Sequence, residues 1–413
     1  MSVAVSTDVL VIGGGLAGLA AALSAKLCSS DTEVCLCEKN DRFGRKFLLA
    51  GTGQCNITHA GNIRDFFTRY GSHGRFVQPA LLEYPNSEVI EFLTSNGVPL
   101  EELENGKIFP VSRKGSDILN LFVNRCRERG VRVALSSPVS SVEYDESNMF
   151  SVSTDANRFA AKKLIISTGG ISYPRTGSTG DGLAWAKRLG HTITPLFPGL
   201  AAVNIKEWLY AECAGISFKS PRITLWRNNA KVGSFDGEIL LTHDGLSGPG
   251  ILDMSRYIRG GDRLELALTQ CVSLEELDRA LLERMTQSPT KQLVSIIREW
   301  GVPGRLIRSI CQNNQIPEEL CGSSCDRTKR RKIASLLVAW PCVVKSVEGF
   351  DRAMVTAGGV DLADIDRKTM ESRRTPGLFF AGEVLDVDGD TGGFNLQFAW
   401  SSGMLAGRSA VRQ

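Results

Sequence analysis

Three glycines near the start of the chain have the spacing of a dinucleotide-binding turn. Gly13, Gly15 and Gly18 directly follow the apolar run 8–12, and an Ala- and Leu-rich helix is predicted over 16–27. In such a turn the first glycine lets the chain leave the strand, and the second leaves room for a pyrophosphate at the helix N-terminus. The third lets the helix pack closely against the sheet. The pattern therefore predicts a Rossmann-type unit that binds an adenine dinucleotide.

An acidic residue follows this unit at the expected distance. Glu38 ends a second apolar run, 33–37, and lies 20 residues after Gly18. A carboxylate at this position accepts hydrogen bonds from the adenosine ribose. A glycine-rich turn in an unrelated α/β protein is the alternative, and this unit does not by itself distinguish FAD from NAD.

Two later segments favour FAD. The predicted strand within 163–170 ends in a glycine pair, and the predicted strand within 375–383 ends in Gly382 and Glu383. An acid at the carboxyl edge of the sheet can hold the ribityl hydroxyls of a flavin. The alternative is that these are ordinary turn glycines.

A glycine-rich stretch near the C-terminus adds to this case. Residues 392–397 precede a helix of small residues that is predicted over 399–410. The N-terminus of such a helix can face the pyrimidine end of a flavin, where negative charge accumulates upon reduction. Because nicotinamide enzymes do not need these late segments, their order predicts FAD.

Five motifs of the chain occupy residues 44–58, 173–182, 242–249, 381–389 and 391–397. Through these motifs the chain resembles, from about residue 8 to 407, the BaiN/YhiN-type flavoproteins, a bacterial group of NAD(P)/FAD-dependent oxidoreductases. In the segment 51–54 this chain has Gly-Thr-Gly-Gln, where the group typically has three glycines and an arginine.

The resemblance implies an α/β fold in three parts. A Rossmann-type FAD-binding domain with a doubly wound parallel sheet would comprise 1–194 and 350–413. A β-barrel-like domain, 195–271 with 340–349, and a small helical subdomain, 272–339, would be inserted into it. The residues agree independently, because short strand-like runs precede residue 268. A helical stretch then begins at a capping-box pattern, Ser273 to Glu276.

The motifs and the resemblance together predict one set of cofactor-binding residues. These are Gly13, Gly15, Leu16, Ala17, Gly18, Glu38, Lys39, Arg45, Lys46, Gly51, Gly53, Asn56, Val139, Thr168, Gly169, Gly170, Gly382, Glu383, Asp386, Gly393, Asn395 and Leu396.

Four residues of the segment 44–58 carry specific expectations. Arg45 and Lys46 can approach a pyrophosphate or an anionic substrate, unless they are merely a pair of solvated charges. Asn56 resembles the position in the family that lines the isoalloxazine pocket. Cys55 is predicted to be a packed residue rather than a redox thiol, because no partner cysteine lies nearby in sequence.

The catalytic candidates are Tyr173, Arg175 and His243. The first two follow the glycine pair, where the chain leaves the sheet. The phenol of Tyr173 can protonate a substrate carbon or enolate, and Arg175 can bind a carboxylate or carbonyl. Packing of Tyr173 on the flavin is the alternative. His243 lies in a family motif and is the other acid–base candidate, although a structural histidine is slightly favoured. Asp181 is predicted to cap a helix.

The resemblance implies flavin-dependent redox chemistry on a small, unsaturated, carbonyl-conjugated substrate. NADH or NADPH would reduce FAD, and flavin N5 would pass a hydride to an electron-poor carbon. The residues show no second GxGxxG unit for a nicotinamide dinucleotide, so another reductant and the reverse direction stay open. Two other function classes also stay open: a flavoprotein acting on RNA, as in tRNA modification, and a non-catalytic flavin-binding protein.

Composition predicts a cytoplasmic protein without a nucleic-acid partner or a membrane-inserted segment. The net charge is +3, and the basic run 327–332 is interpreted as a solvated helix face. The first residues lack the pattern of a signal peptide, and no apolar run reaches the roughly 18 residues of a membrane span. The 11 cysteines and four histidines show no paired metal-ligand spacing, so no metal is predicted. The oligomeric state is left open.

Overall fold

The computed structural model describes residues 5–270 and 273–412. The chain divides into two compact units, one formed by the residues up to Gly199 and from Phe350 onward, and the other by Leu200–Gly349. The predicted domain boundary at 271–272 and the predicted absence of a signal peptide at residues 1–4 concern positions outside the described residues. The finer division of the inserted segment stays a prediction.

The first unit contains a parallel sheet with the first strand of the chain at its centre. Val5–Ile12 pairs in parallel with Val34–Cys37 on one side and with Arg158–Ile166 on the other. Arg132–Ala134 and Leu378–Phe380 extend the sheet in parallel on either side. Val34–Cys37 and Leu378–Phe380 are buried at every position, as expected for strands covered on both faces. The predicted Rossmann-type sheet is confirmed.

Shorter antiparallel strands complete this unit. Val139–Tyr144 and Phe150–Thr154 form a hairpin, which pairs with Arg158–Ile166. Ile365–Asp366 and Glu371–Ser372 continue the other edge. Two smaller sheets consist of Thr58–His59, Lys107–Pro110 and Leu100–Glu102, and of Phe197–Gly199 with Val355–Ala357.

The helices of the first unit cover this sheet. The predicted helix after the glycine turn is confirmed, and the C-terminal helix begins at Phe394, five residues earlier than predicted. Its early start has a packing reason, because Phe394 and Phe398 lie one turn apart and are both buried. The α-helices are Leu16–Cys28, Gly74–Glu83, Asn86–Ser95, Gly115–Glu128, Asp181–Arg188 and Phe394–Arg412.

The first and last of these helices pack at very close range. A Cβ at Gly403 would overlap the carbonyl oxygen of Ala17, and a Cβ at Gly407 would overlap that of Ala21. Only glycine permits this backbone approach. The Ser24 hydroxyl adds a hydrogen bond of 2.6 Å to the Met404 carbonyl. The C-terminal helix therefore fixes the position of the helix that follows the glycine turn.

The second unit combines an antiparallel sheet with a group of helices around one apolar core. Its sheet contains, in spatial order, Ser217–Phe218, Ile239–Leu241, Gly245–Ser247, Val203–Ile205, Trp340–Val347, Arg263–Leu266, Arg222–Arg227 and Ala230–Asp236. Its helices are Pro249–Met254, Leu274–Gln287, Leu293–Ile297, Gly304–Asn313 and Arg327–Val338. The first hydrogen bond of the predicted capping box is confirmed, since the Ser273 hydroxyl accepts a 3.1 Å hydrogen bond from the Glu276 amide.

Candidate cofactor and active site

Four predicted motifs meet at the carboxyl edge of the parallel sheet. Ile12 is in register with Cys37 and Ile166, and Ile166 is in register with Phe380. The glycine turn, Glu38 and the 167–170 loop each follow directly after one of these residues, and the 382–383 turn follows Phe380 after one intervening residue. Ligands of open α/β sheets bind at this edge, where strand order reverses on the two sides of the first strand.

The glycine turn has the geometry expected for each glycine. Gly13 has φ 108°, and a Cβ there would lie 2.5 Å from the Ser167 carbonyl oxygen. A Cβ at Gly18 would overlap the Gly13 carbonyl and lie 2.6 Å from Ser167 Oγ, so this glycine allows the helix to approach the sheet. A Cβ at Gly15, in contrast, would have no neighbour within 4 Å.

These features fit a bound pyrophosphate. The N-terminus of Leu16–Cys28, whose first turn holds Leu16 and Ala17, has no capping side chain and no acidic residue in its first turn. Its backbone N–H groups are therefore suited to an anion at the space beside Gly15. Across the edge, the buried Thr168 hydroxyl has no hydrogen-bond partner within the part of the chain that the structure describes. A ligand oxygen there would satisfy it.

Glu38 is held in a fixed orientation beside the glycine turn. Its side chain is buried, and its Oε2 accepts a 2.7 Å hydrogen bond from the Gly14 amide. Its Oε1 accepts hydrogen bonds from the Asn40 amide at 2.8 Å and from Asn40 Nδ2 at 2.7 Å. Arg45 donates to Asn40 Oδ1 at 2.8 Å. Arg45 thus supports the residue that orients Glu38.

Lys39 binds the segment 179–181, which follows the glycine pair, through two polar contacts. Its Nζ lies 2.8 Å from Asp181 Oδ2 and 2.6 Å from Thr179 Oγ1. The predicted helix cap at Asp181 is wrong, because Gly180 occupies the N-cap position without a side-chain hydrogen bond. Asp181 is the first helical residue, and its carboxylate pairs with Lys39 instead.

Lys46 and Glu383 form the second charged pair of the edge. Lys46 Nζ lies 2.7 Å from both carboxylate oxygens of Glu383 and 2.7 Å from Ser172 Oγ. The amide of Thr356 donates to Glu383 Oε1 at 2.8 Å. The positive charge of Lys46 therefore balances the negative charge of the Glu383 carboxylate at the carboxyl edge.

The segment 44–58 runs beside this pair as a tight loop. Gly51 and Thr52 both have a left-handed backbone, with φ 57° and 56°, and Gly53 has φ 90°. Cys55 is fully buried, and burial raises the pKa of its thiol far above the usual range, so it is a packed residue. Asn56 Oδ1 accepts a 3.2 Å hydrogen bond from the Ile108 amide, which joins the loop to the small three-stranded sheet.

The N-terminus of the C-terminal helix is held by the segment before it. A Cβ at Gly393 would lie 2.6 Å from the Thr58 carbonyl oxygen, so this glycine permits a close backbone contact. Asn395 exchanges two 2.8 Å hydrogen bonds with the backbone of Gly389. Leu396 is half-buried in the first turn of the same helix.

The remaining predicted cofactor residues also belong to the first unit. Gly170 packs on Thr356, since a Cβ would lie 2.5 Å from Thr356 Cβ, and Gly169 has φ 72°. Gly382, with φ 72°, packs on Ala17. Asp386 donates its amide hydrogen to the Val360 carbonyl. Val139 begins the hairpin strand and is half-buried.

The three catalytic candidates do not all belong to the same unit of the chain. Tyr173 is half-buried and has φ 53°, which places it at a sharp turn just past the glycine pair. Arg175 is exposed two residues later. His243 is exposed in the second unit, in a turn closed by a 2.9 Å hydrogen bond from the Thr242 amide to the Gly245 carbonyl. Tyr173 and Arg175 therefore adjoin the carboxyl edge, and His243 belongs to the inserted unit.

The described residues contain no cluster of three or more His, Cys, Asp or Glu side chains suited to a metal ion. Among the described helices, none has the length and apolar character needed to cross a membrane.

Comparison with known proteins decides the family. Residues 7–409 match the HI0933-like protein Rossmann domain. The chain belongs to the HI0933-like family. The predicted family resemblance is thereby confirmed, and the chain is a flavin oxidoreductase by family.

Curated relatives match the chain along almost its whole length. A ribosomal RNA dihydrouridine synthase of Haemophilus influenzae is 31% identical over 98% of each chain, and that of Escherichia coli is 30% identical with the same coverage. A 3-dehydro-bile acid delta(4,6)-reductase of Clostridium scindens is 28% identical over 98% of each chain.

Solved structures share the fold at low sequence identity. A 3-ketosteroid-delta4-(5alpha)-dehydrogenase of Rhodococcus jostii has a TM-score of 0.52 and 16% identity, covering 99% of this chain and 97% of its own. A flavocytochrome c3 fumarate reductase has the same score and identity, covering 99% and 78%. At this identity the likeness establishes the fold of the HI0933-like protein.

Three polar residues of the site were missed from the sequence. Asn40 orients Glu38. Ser172 contacts Lys46, and the amide of Thr356 contacts Glu383. A signal existed for Asn40, which lies two residues past a predicted ligand acid. No local signal existed for Thr356, which lies far from the other members of its cluster in sequence.

Proposed function

We propose that this HI0933-like protein is an FAD-dependent reductase of carbon–carbon double bonds conjugated to a carbonyl. The observation that carries the FAD-binding part of the proposal is the arrangement at the carboxyl edge: an uncapped helix N-terminus beside open space at Gly15, with Glu38 and Glu383 following two strands of the same parallel sheet. The names of the relatives support the bond type. Both a delta(4,6)-reductase and a dihydrouridine synthase saturate a double bond conjugated to a carbonyl group.

The residues present would hold FAD along this edge. The backbone N–H groups after Gly15 would bind the pyrophosphate, and Glu38 would accept the ribose hydroxyls. Glu383 would accept ribityl hydroxyls, and the N-terminus of Phe394–Arg412 would face the pyrimidine ring. When bound, FAD supplies a flavin ring that can accept and donate a hydride.

The proposed roles of the chain's own groups follow from their positions. Tyr173 would hold a proton at its phenol oxygen for the substrate carbon, and Arg175 would bind the substrate carbonyl or carboxylate. His243 is the alternative proton donor. NADH or NADPH would be a transient electron donor, because the sequence contains no second dinucleotide-binding turn.

The proposal is tested by anaerobic titration of the FAD-loaded protein with NADH and then NADPH. We expect bleaching of the flavin band near 450 nm, about where oxidised flavins absorb, and reoxidation by a conjugated enone. A flavin reduced by neither nucleotide would reject the nicotinamide donor. A protein that binds no FAD would reject the proposed function as a whole.

A second candidate is reduction of uridine in ribosomal RNA. The two relatives with 31% and 30% identity favour it, because both are named ribosomal RNA dihydrouridine synthases. The basic run 327–332 gives it little support. Lys329, Arg330 and Arg331 pair with acidic side chains of the same unit.

One experiment separates the two candidates. The reduced protein is given either small enones or unmodified ribosomal RNA transcripts, and the products are measured by mass spectrometry. We expect turnover of the small enones. Formation of dihydrouridine without any enone turnover would replace the small-molecule proposal by the RNA one.

A further inference from the structure

Thr356 is a fully buried threonine that joins two loops of the carboxyl edge. It lies in the short strand Val355–Ala357, and its Oγ1 lies 2.9 Å from the Ile171 amide and 3.1 Å from the Ser172 amide. Its own amide donates to Glu383 Oε1 at 2.8 Å. One residue therefore contacts both the loop after the glycine pair and the predicted flavin acid.

The direction of each hydrogen bond in this cluster can be assigned. Thr356 Oγ1 accepts from two amides, which occupies both of its lone pairs, so its hydrogen is donated to Ser172 Oγ at 3.2 Å. Ser172 Oγ then accepts from Thr356 and from Lys46, the latter at 2.7 Å. Its own hydrogen is donated to Glu383 Oε1 at 3.1 Å.

The two oxygens of Glu383 are consequently unequal. Oε1 accepts from Ser172, from the Thr356 amide and from Lys46. Oε2 accepts a hydrogen bond of 2.7 Å from Lys46 Nζ. Because a carboxylate oxygen accepts about two hydrogen bonds, Oε1 is saturated. Oε2 is the oxygen that keeps capacity for a ligand hydroxyl.

We propose that Thr356, acting through Ser172, is a positioning residue that presents Glu383 Oε2 to a polyol hydroxyl of the cofactor. This inference rests on the proposed function, because it takes FAD as the ligand at Glu383. The absence of a side chain at Gly170 supports it. A Cβ there would overlap Thr356 Oγ1, so glycine is what lets the threonine reach the loop amides.

The first test replaces Thr356 by valine, which keeps the shape and the backbone amide but removes the hydroxyl. Apoprotein is titrated with FAD and the flavin fluorescence is followed. We expect the Kd of Thr356→Val to rise about tenfold, the scale of 1.4 kcal/mol. Thr356→Ser keeps the hydroxyl and is expected to stay within about threefold of the original protein.

A double-mutant cycle separates positioning from general destabilisation. If Thr356 acts through Glu383, Glu383→Gln alone and Thr356→Val/Glu383→Gln bind FAD equally, because the acid to be positioned is already gone. Additive losses would overturn the inference. Ser172→Ala is the second variant, used if Thr356→Val does not fold, and its loss must likewise vanish on Glu383→Gln.

The remaining outcomes are also decisive. If the unmodified protein binds FAD and Thr356→Val binds it equally well, the positioning role fails while the proposed function stands. If the unmodified protein binds no FAD, both fail together.

Discussion

Two neighbouring glycines of the first turn should respond to alanine in opposite ways. Gly15 has an ordinary backbone, with φ −80°, and a Cβ there would meet nothing within 4 Å. Gly18 has no such space, because its Cβ would overlap the Gly13 carbonyl and lie 2.6 Å from Ser167 Oγ. We therefore expect Gly15→Ala to impair FAD binding and Gly18→Ala to impair folding.

The magnitudes follow from these contacts. For Gly15→Ala, the reduced conformational freedom of the unfolded chain stabilises the folded protein by about 0.4–1 kcal/mol. Alanine is a poorer N-cap than glycine and destabilises the helix by a similar amount, so the free energy of unfolding changes little. A methyl group in the pyrophosphate position should weaken FAD binding at least 100-fold, about 2.7 kcal/mol. For Gly18→Ala, overpacking against backbone costs about 1–3 kcal/mol. That corresponds to a fall in Tm of roughly 2–4 °C per kcal/mol.

The assay compares both variants as apoproteins and with FAD. Thermal unfolding followed by circular dichroism gives the Tm, and flavin fluorescence gives the Kd. The reasoning is refuted if Gly15→Ala binds FAD as tightly as the original protein. It is equally refuted if Gly15→Ala lowers the apoprotein Tm as much as Gly18→Ala does.

Three further changes have defined expected results. Burial lowers the pKa of His191 in the folded protein below its usual 6.5. As the pH falls below 6.5, the unfolded chain therefore binds a proton at this histidine more readily than the folded protein does. The free energy of unfolding should decrease over this range. The slope of Tm between pH 7.5 and about 5 should flatten in His191→Gln, and an unchanged slope would contradict this. Thr52 is a β-branched residue with a left-handed backbone, φ 56°, and this strain costs about 1–2 kcal/mol. Thr52→Gly removes the strain at a smaller cost in backbone entropy, so urea unfolding should show a free energy of unfolding higher by roughly 0.5 kcal/mol. Lys46→Gln leaves Glu383 without its cation beside a dianionic cofactor, so FAD affinity should fall at least about tenfold. Lys46→Arg keeps the cation and should retain most of the affinity, and a loss as large as that of Lys46→Gln would argue against charge as the cause.

The geometry of the glycine turn and the position of Glu38 were predictable because these residues are close in sequence. Gly13, Gly15 and Gly18 act within one turn, and Glu38 follows at a distance set by one helix and one strand. Local rules of turn geometry and helix length are sufficient to place such residues. Glu383 was also placed correctly at the carboxyl edge, because it lies three residues past the end of a fully buried strand.

The polar partners of these residues could not be predicted in the same way. Thr356 and Ser172 meet only because a short strand far along the chain passes behind the loop that follows the glycine pair. Arg45 and Lys46 were expected either to approach an anion or to be solvated charges, and in the structure they contact Asn40 and Glu383 respectively. Charge and spacing along the chain do not reveal which tertiary partner a flexible cationic side chain will find.

The distance between the two helices whose N-termini would hold the ends of the cofactor depends on glycine contacts. The pyrophosphate would lie at the N-terminus of Leu16–Cys28, and the flavin ring at the N-terminus of Phe394–Arg412. Gly403 and Gly407 bring these two helices into backbone contact at Ala17 and Ala21. A larger residue at either glycine would push the helices apart and change the separation of their N-termini without touching the cofactor. We therefore expect the length of ligand that the edge accepts to depend on packing in the interior of the first unit, because close-packed interiors transmit strain.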